Sequence, residues 1–247
     1  MKRREFCQSA FSAAMASALP AHYLLAAERQ PISSVQAIAL SGRETMLEGS
    51  AVRELRDSLR GKLLLNGDDG YDHARAVWNA MIDKHPALIA RCEGPADVVN
   101  SINFARAHDL LVSVRGGGHS ISGKSVCEGG LMIDMSSMNS VRVDRNGATA
   151  RADGGCLEGH IDREASLLGM ATTGGIVSHT GAAGLTLGGG FGRLCRKFGM
   201  TCDNLVGSDI VTADGILRQV SNEQNPDLLW ALKGGGGNFG VVTALDY

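Results

Sequence analysis

Glycine crowds one half of this chain: of 33 glycines in 247 residues, 27 fall between Gly116 and Gly240 and six precede them. The total is about 13% of the sequence, against an average near ~7%. No Gly-X-Y period accompanies the excess, which excludes collagen. It describes a backbone shaped for turns and for close approach to something bound. Composition is otherwise globular, with 44% hydrophobic and 20% charged residues, so disorder is excluded. A formal charge of −2 with no basic stripe excludes a general nucleic-acid binder.

The first 30 residues read as a separate segment. Met1-Lys2-Arg3-Arg4-Glu5-Phe6 precedes a small apolar run over 10–18, broken by Pro20 and His22 and closed by Ala26-Ala27. That order predicts an export signal, too short and interrupted for a membrane span, and Arg3-Arg4-x-Phe6 resembles a twin-arginine signal. The expected location is periplasmic or extracellular. Six cysteines lie at 7, 92, 127, 156, 195 and 202. With Cys7 removed, five remain without a CxxC pair, which predicts small buried residues and neither a disulfide framework nor zinc. No HExxH or Cys/His cluster predicts a metal site.

Residues 31–81 read as an N-terminal linker with a helix over 50–64, its face formed by Val52, Leu55, Leu59 and Leu63. The organised region is expected from 82 to 247. It predicts strands at 87–91, 110–114 and 131–134, a helix from Gly94-Pro95 to His108, and a hairpin around Asn146-Gly147. Further along come a helix from 156 or 157 to 168, a hairpin turning at Ala213-Asp214-Gly215, a helix over 226–233 and a strand over 241–247. The fold class is α+β.

Two motif matches fail on context. Residues 118–125 satisfy GxxxxGK[ST], the phosphate loop of many NTPases, after a strand. That loop needs a helix directly after Lys124-Ser125, and Gly129-Gly130 leaves no room for one. Residues 235–240 satisfy GxGxxG, but with a helix before and a strand after, the reverse of a dinucleotide-binding unit.

Arg115-Gly116-Gly117-Gly118-His119-Ser120 ends a strand with a turn whose successive N–H groups can cradle a pyrophosphate. Three segments follow it: Thr172-Thr173-Gly174-Gly175-Ile176-Val177-Ser178-His179-Thr180-Gly181, then 184–192, then Asp227-Leu228-Leu229-Trp230 through Gly240. In this order and spacing they resemble the FAD-binding PCMH-type domain of the vanillyl-alcohol-oxidase superfamily, and within it the berberine-bridge-enzyme-like oxidoreductases. The resemblance covers about 82–247. It implies two α+β subdomains, about 82–145 and 146–247, with FAD between them. It implies that Arg115, Gly116, Gly117, Gly118 and Ser120 hold the pyrophosphate and that His119 bonds covalently to the flavin. Gly175, Val177, Ser178, Gly181, Ala182, Gly184 and Leu185 would line the flavin, and Gly240 and Val242 would meet the adenine end.

Two departures qualify that pattern. Bicovalent relatives carry a Cys where this chain has Val177, so a single link through His119 is expected. Ala182 falls where relatives control oxygen access, and its small side chain leaves room for O2. The resemblance implies oxidation of a CH–OH group in a small alcohol or carbohydrate, with O2 as acceptor. Relatives continue into a substrate-binding domain and a C-terminal segment that returns to cover the flavin and supplies the usual catalytic base. The chain is therefore expected to be the FAD-binding half of such an enzyme, completed by further chain or by a partner. The alternatives are a flavin-binding module without its own turnover and, on residues 118–125 alone, a phosphate-loop NTPase. No residue is assigned as catalytic base.

Overall fold

The computed structural model describes residues 32–247, so the export-signal segment lies outside the described residues. Two sheets organise the described chain, with a short hairpin before them. That hairpin pairs β1 (Val35–Ile38) with β2 (Glu44–Leu47). Helix α1 (Gly49–Ser58) follows and buries Val52 and Leu55.

The first main sheet has the order β3-β4-β6-β5, with β3 (Lys62–Leu64), β4 (Leu88–Arg91), β5 (Val112–Arg115) and β6 (Leu131–Asp134). β4 and β5 both run parallel to β6. Leu88, Ile89, Ala90, Leu131, Met132 and Ile133 are all fully buried. A continuous apolar run is what a parallel strand covered on both faces requires. Helix α2 (Tyr71–Arg75) packs Tyr71 and Ala74 into a cluster with Ile89 and Met132. The Tyr71 hydroxyl donates to the Pro86 carbonyl, and burial lifts its pKa to about 12. Helix α3 (Pro95–Ala107) starts with Pro95, pre-set for a first turn, and buries Val98 and Ala105.

The second sheet is antiparallel throughout, in the order β10-β9-β11-β8-β7. Its strands are β7 (Val141–Asp144), β8 (Thr149–Asp153), β9 (Gly207–Val211), β10 (Leu217–Ser221) and β11 (Val241–Asp246). Helices α4 (Glu158–Leu167), α5 (Ala182–Leu187) and α7 (Pro226–Leu232) supply Ile161, Ala183, Leu187, Leu229 and Leu232 to its core. Between α5 and β9 lie the one-turn helix α6 (Cys195–Phe198) and a 3-10 turn (Cys202–Asn204).

Most expected elements form within a residue or two of their predicted bounds. Three expectations change. The helix expected over 50–64 stops at Ser58, and Leu63 sits in β3 instead. Gly61 explains the break: a Cβ there would lie 1.8 Å from the Arg91 carbonyl oxygen, and its N–H donates to the Asp97 carboxylate. The stretch 31–81 is therefore not a mere linker, since β3 pairs with β4 and α2 joins the same core. The division between halves falls over 135–140, before β7, because β7 pairs with β8 in the second sheet.

Where the halves meet, backbone touches backbone. A Cβ on Gly117 would lie 2.4 Å from Gly181 Cα, and one on Gly116 would lie 3.0 Å from the Gly154 carbonyl. A Cβ on Gly155 would lie 1.8 Å from the Met135 carbonyl. Part of the glycine excess has its physical cause in this seam.

Candidate functional site

Strand β5 delivers its last residue, Arg115, to the seam, where the chain turns through Gly116-Gly117-Gly118 to His119. The Arg115 guanidinium lies beneath that turn, 3.2 Å from the buried Asp134 carboxylate and 3.4 Å from the Ala76 carbonyl. Gly118 has φ +67°, and a Cβ on it would lie 2.9 Å from Arg115 Nη2. Only glycine allows both the left-handed turn and the arginine below it. Asp134 also binds the Ser136 N–H at 3.0 Å and pairs with Arg91 at 3.3 Å, so the first sheet carries a fixed charge cluster under the loop.

Two cavities open beside the turn, and Gly116 and Gly117 wall both. One, of about 380 Å³, is lined by Gly118, His119, Ser120 and Ser125 from the first half. Thr180, Gly181, Gly184 and Leu185 face them from the second half. The other, of about 290 Å³, is more polar and includes Arg91, Arg115, Asp134, His73 and His160. The His119 ring stacks on Trp78, with centroids 4.8 Å apart and planes at 17°, and meets His179 at 5.1 Å and 44°. His119 Nε2 and Ser125 Oγ are buried with no hydrogen-bond partner. Buried polar atoms without partners are uncommon, and here two of them line one cavity.

The remaining expected residues line neither cavity. Gly175 lies against Leu185 and donates its N–H to the buried Glu158 carboxylate at 3.1 Å. Burial pushes the Glu158 carboxyl above the ordinary range, and the Gly175 N–H partly offsets it. Val177 and Ser178 are exposed and line neither cavity beside His119; the Ser178 carbonyl accepts the Gly159 N–H. Ala182 is fully buried in the core of the second sheet, with its N–H on the Cys156 carbonyl, so it opens no space in that cavity. Gly240 (φ +147°) runs tight against β9, where a Cβ would lie 2.4 Å from the Val211 carbonyl. Val242 is buried in β11, and its carbonyl presses on Gly154, the residue behind Gly116. The Val242–Gly154 contact lies behind the loop, because Gly116 abuts the Gly154 carbonyl.

Sequence reasoning missed Trp78, which falls before the motif, and saw Ser125 only as part of the phosphate-loop match. No helix follows Lys124-Ser125; residues 119–130 are turns, bends and irregular chain, and the Lys124 N–H closes back on Ser120 Oγ at 3.1 Å. Residues 235–240 lie between α7 and β11. Neither alternative nucleotide motif has its required context. Cys92, Cys127, Cys156 and Cys202 are buried, and burial lifts the Cys92 and Cys156 thiols to about 12. Among the described residues there is no cluster of metal-ligating side chains, and no helix is long and apolar enough to cross a membrane.

A family model described as an FAD binding domain matches residues 86–221, more than half of the chain and all of the loop, the seam and the α5 segment. The chain belongs to the FAD binding domain family. Within that family it is similar to (R)-6-hydroxynicotine oxidase of Paenarthrobacter nicotinovorans, 38% identical over 76% of this chain and 41% of that protein. The structure of BBE-like 1 of Physcomitrella patens superposes with a TM-score of 0.76 at 26% identity, covering 79% of this chain and 43% of that one. Glucooligosaccharide oxidase of Acremonium strictum superposes at 0.75 with 29% identity, covering 80% and 42%, and its FAD is a 6-S-cysteinyl, 8α-N1-histidyl form. This FAD-binding domain spans about two-fifths of the length of these relatives.

Proposed function

We propose that this chain is the FAD-binding portion of an exported oxidoreductase that oxidises a small alcohol or carbohydrate, with FAD joined through His119 and O2 as acceptor. One observation carries the reading. A histidine with a buried, unpartnered Nε2 stands at the end of a three-glycine turn, lining a cavity whose opposite wall is Thr180, Gly181, Gly184 and Leu185. The residues fit the group. Gly116, Gly117 and Gly118 offer backbone that can approach a pyrophosphate, with Arg115 supplying positive charge from below, and Ser120 borders the same turn. Ser125 Oγ is a second polar atom in want of a partner. Gly181, Gly184 and Leu185 give a flat, mostly apolar wall, and Gly175 sits behind Leu185. Val177 in place of a cysteine leaves a single histidyl link. When bound, FAD supplies the hydride acceptor that O2 can reoxidise; the chain's own residues bind, orient and shield it.

Support for a carbohydrate or alcohol comes from the glucooligosaccharide oxidase among the superposed structures, and the nicotine oxidase favours an amine as the second reading. Because the chain spans two-fifths of these relatives, a flavin-binding module without its own turnover is the third. The Arg3-Arg4 start supports export. Anaerobic mixing of the flavin-loaded protein with oligosaccharides, aromatic alcohols and 6-hydroxynicotine separates these readings. Bleaching of the flavin by a sugar or alcohol, with peroxide formed when air returns, is the expected result. Bleaching by the amine alone favours the second reading, and loaded flavin that nothing bleaches favours the module.

A further inference from the structure

The geometry points to residues 76–84 as a clamp that orients His119 for its bond to flavin, with Trp78 as the positioning residue. This inference rests on the histidyl link proposed above. The clamp lies ahead of the matched domain, which begins at residue 86, so the family match does not include it. Five hydrogen bonds join it to the loop. The Ala76 carbonyl accepts from Arg115 Nη2 at 3.4 Å, and the Trp78 N–H donates to the Gly118 carbonyl at 2.8 Å. Asn79 Nδ2 donates to the Ile121 carbonyl at 2.8 Å. Lys84 Nζ donates to the Gly123 and Val126 carbonyls at 3.0 and 3.3 Å, and Gly123 leaves room for the Ile82 side chain.

These bonds fix the loop on both sides of His119, and the indole fixes the ring itself. Trp78 is 59% exposed, so hydrophobic burial does not account for its placement. Its stacked face does. The backbone bond to Gly118, the residue before His119, sets the distance between the two rings. His179 meets the imidazole as well, leaving it little freedom to turn. Bond formation joins an imidazole nitrogen to the flavin 8α carbon, with loss of one N–H and one C–H. The two electrons and two protons pass through the isoalloxazine to dioxygen, giving peroxide. The step needs a ring held at the right angle, and pre-orientation of a reacting group is where such a contact acts on rate.

The test uses the full chain from a riboflavin-starved host, mixed with FAD in air while acid-stable flavin is followed with time. A stacked aromatic pair contributes enough to predict a rate about three- to tenfold slower in Trp78→Leu, with Trp78→Phe close to wild type. Asn79→Ala, which loosens the loop without touching the ring, should slow the reaction less. The flavin-free chain, labelled at histidine, gives a readout independent of loading. The His119 ring-proton resonance should lie upfield in wild type, from the indole ring current, and move downfield in Trp78→Leu. An unchanged rate and resonance in Trp78→Leu, with His119→Ala forming no acid-stable flavin, overturns the clamp alone. Acid-stable flavin on His119→Ala, or none on wild type, overturns the histidyl link and the clamp with it.

Discussion

Gly117 and Gly184 both line the cavity beside His119, yet they serve different ends. A Cβ on Gly117 would lie 2.4 Å from Gly181 Cα and 2.7 Å from its nitrogen, backbone atoms that cannot yield without parting the two halves. Gly117→Ala should therefore cost about 1–3 kcal/mol of stability, as overpacking does, visible as a lower denaturation midpoint. Gly184 has nothing within 4 Å of an added Cβ and lies inside α5. Gly184→Ala should leave the fold intact or stabilise it by up to about 1 kcal/mol, because alanine suits a helix interior better. The added methyl would instead narrow the cavity, so FAD should bind several-fold more weakly in an equilibrium titration of His119→Ala and His119→Ala/Gly184→Ala chains. Equal affinity would show that the cavity wall is not a flavin wall. The glycine motifs made this region visible in the sequence, but motif position could not separate seam glycines from cavity glycines. Gly240 and Ala182 show why: their neighbours, Val211 and Cys156, are distant in the sequence and adjacent only after folding.

At the scale of elements, apolar patterning identified the buried strands β4 and β6 and helix α3, where each residue's environment is set by the element itself. It failed at α1, β3 and α5. The end of α1 depends on Gly61 passing under Arg91 and on Asp97, a carboxylate that accepts the N–H groups of Arg60, Gly61 and Glu93. Asp97→Ala would leave three donors to find new partners, and a loss of about 1–3 kcal/mol is expected in chemical denaturation. Helix α5 is hidden because Ala182–Leu187 lies within a glycine-dense stretch of low helix propensity; its support comes from packing Ala182, Ala183 and Leu187 into the second core. Glu158, at the start of α4, ties that helix to Gly175. Its raised pKa means that the folded chain holds the proton more tightly than the unfolded chain. The resulting stability is full below the ordinary glutamate value of ~4.3 and is lost as pH rises through the raised value. Glutamine can still accept the Gly175 N–H without a buried charge. Glu158→Gln should thus melt at a higher temperature than wild type near pH ~8 and gain nothing near pH ~4. A lower melting temperature near pH ~8 would show that the carboxylate charge is itself stabilising.

The whole described molecule is two sheets that meet along a glycine seam, with the histidine loop at the join. A ligand that touches both halves should stabilise them together. FAD at about 100 times its Kd would contribute about 2.7 kcal/mol, a rise of roughly 5–10 °C in melting temperature for a domain of this size. In His119→Ala that rise should disappear on dialysis, whereas in wild type it should persist. Whether the loop after β5 holds flavin through His119 is decided by mass spectrometry of a tryptic digest of the acid-washed protein. The flavin adduct is expected on the peptide 116–124, cut after Arg115 and Lys124, and is expected to be absent in His119→Ala. A flavin on any other peptide, or none retained by wild-type chain that binds FAD, would contradict it.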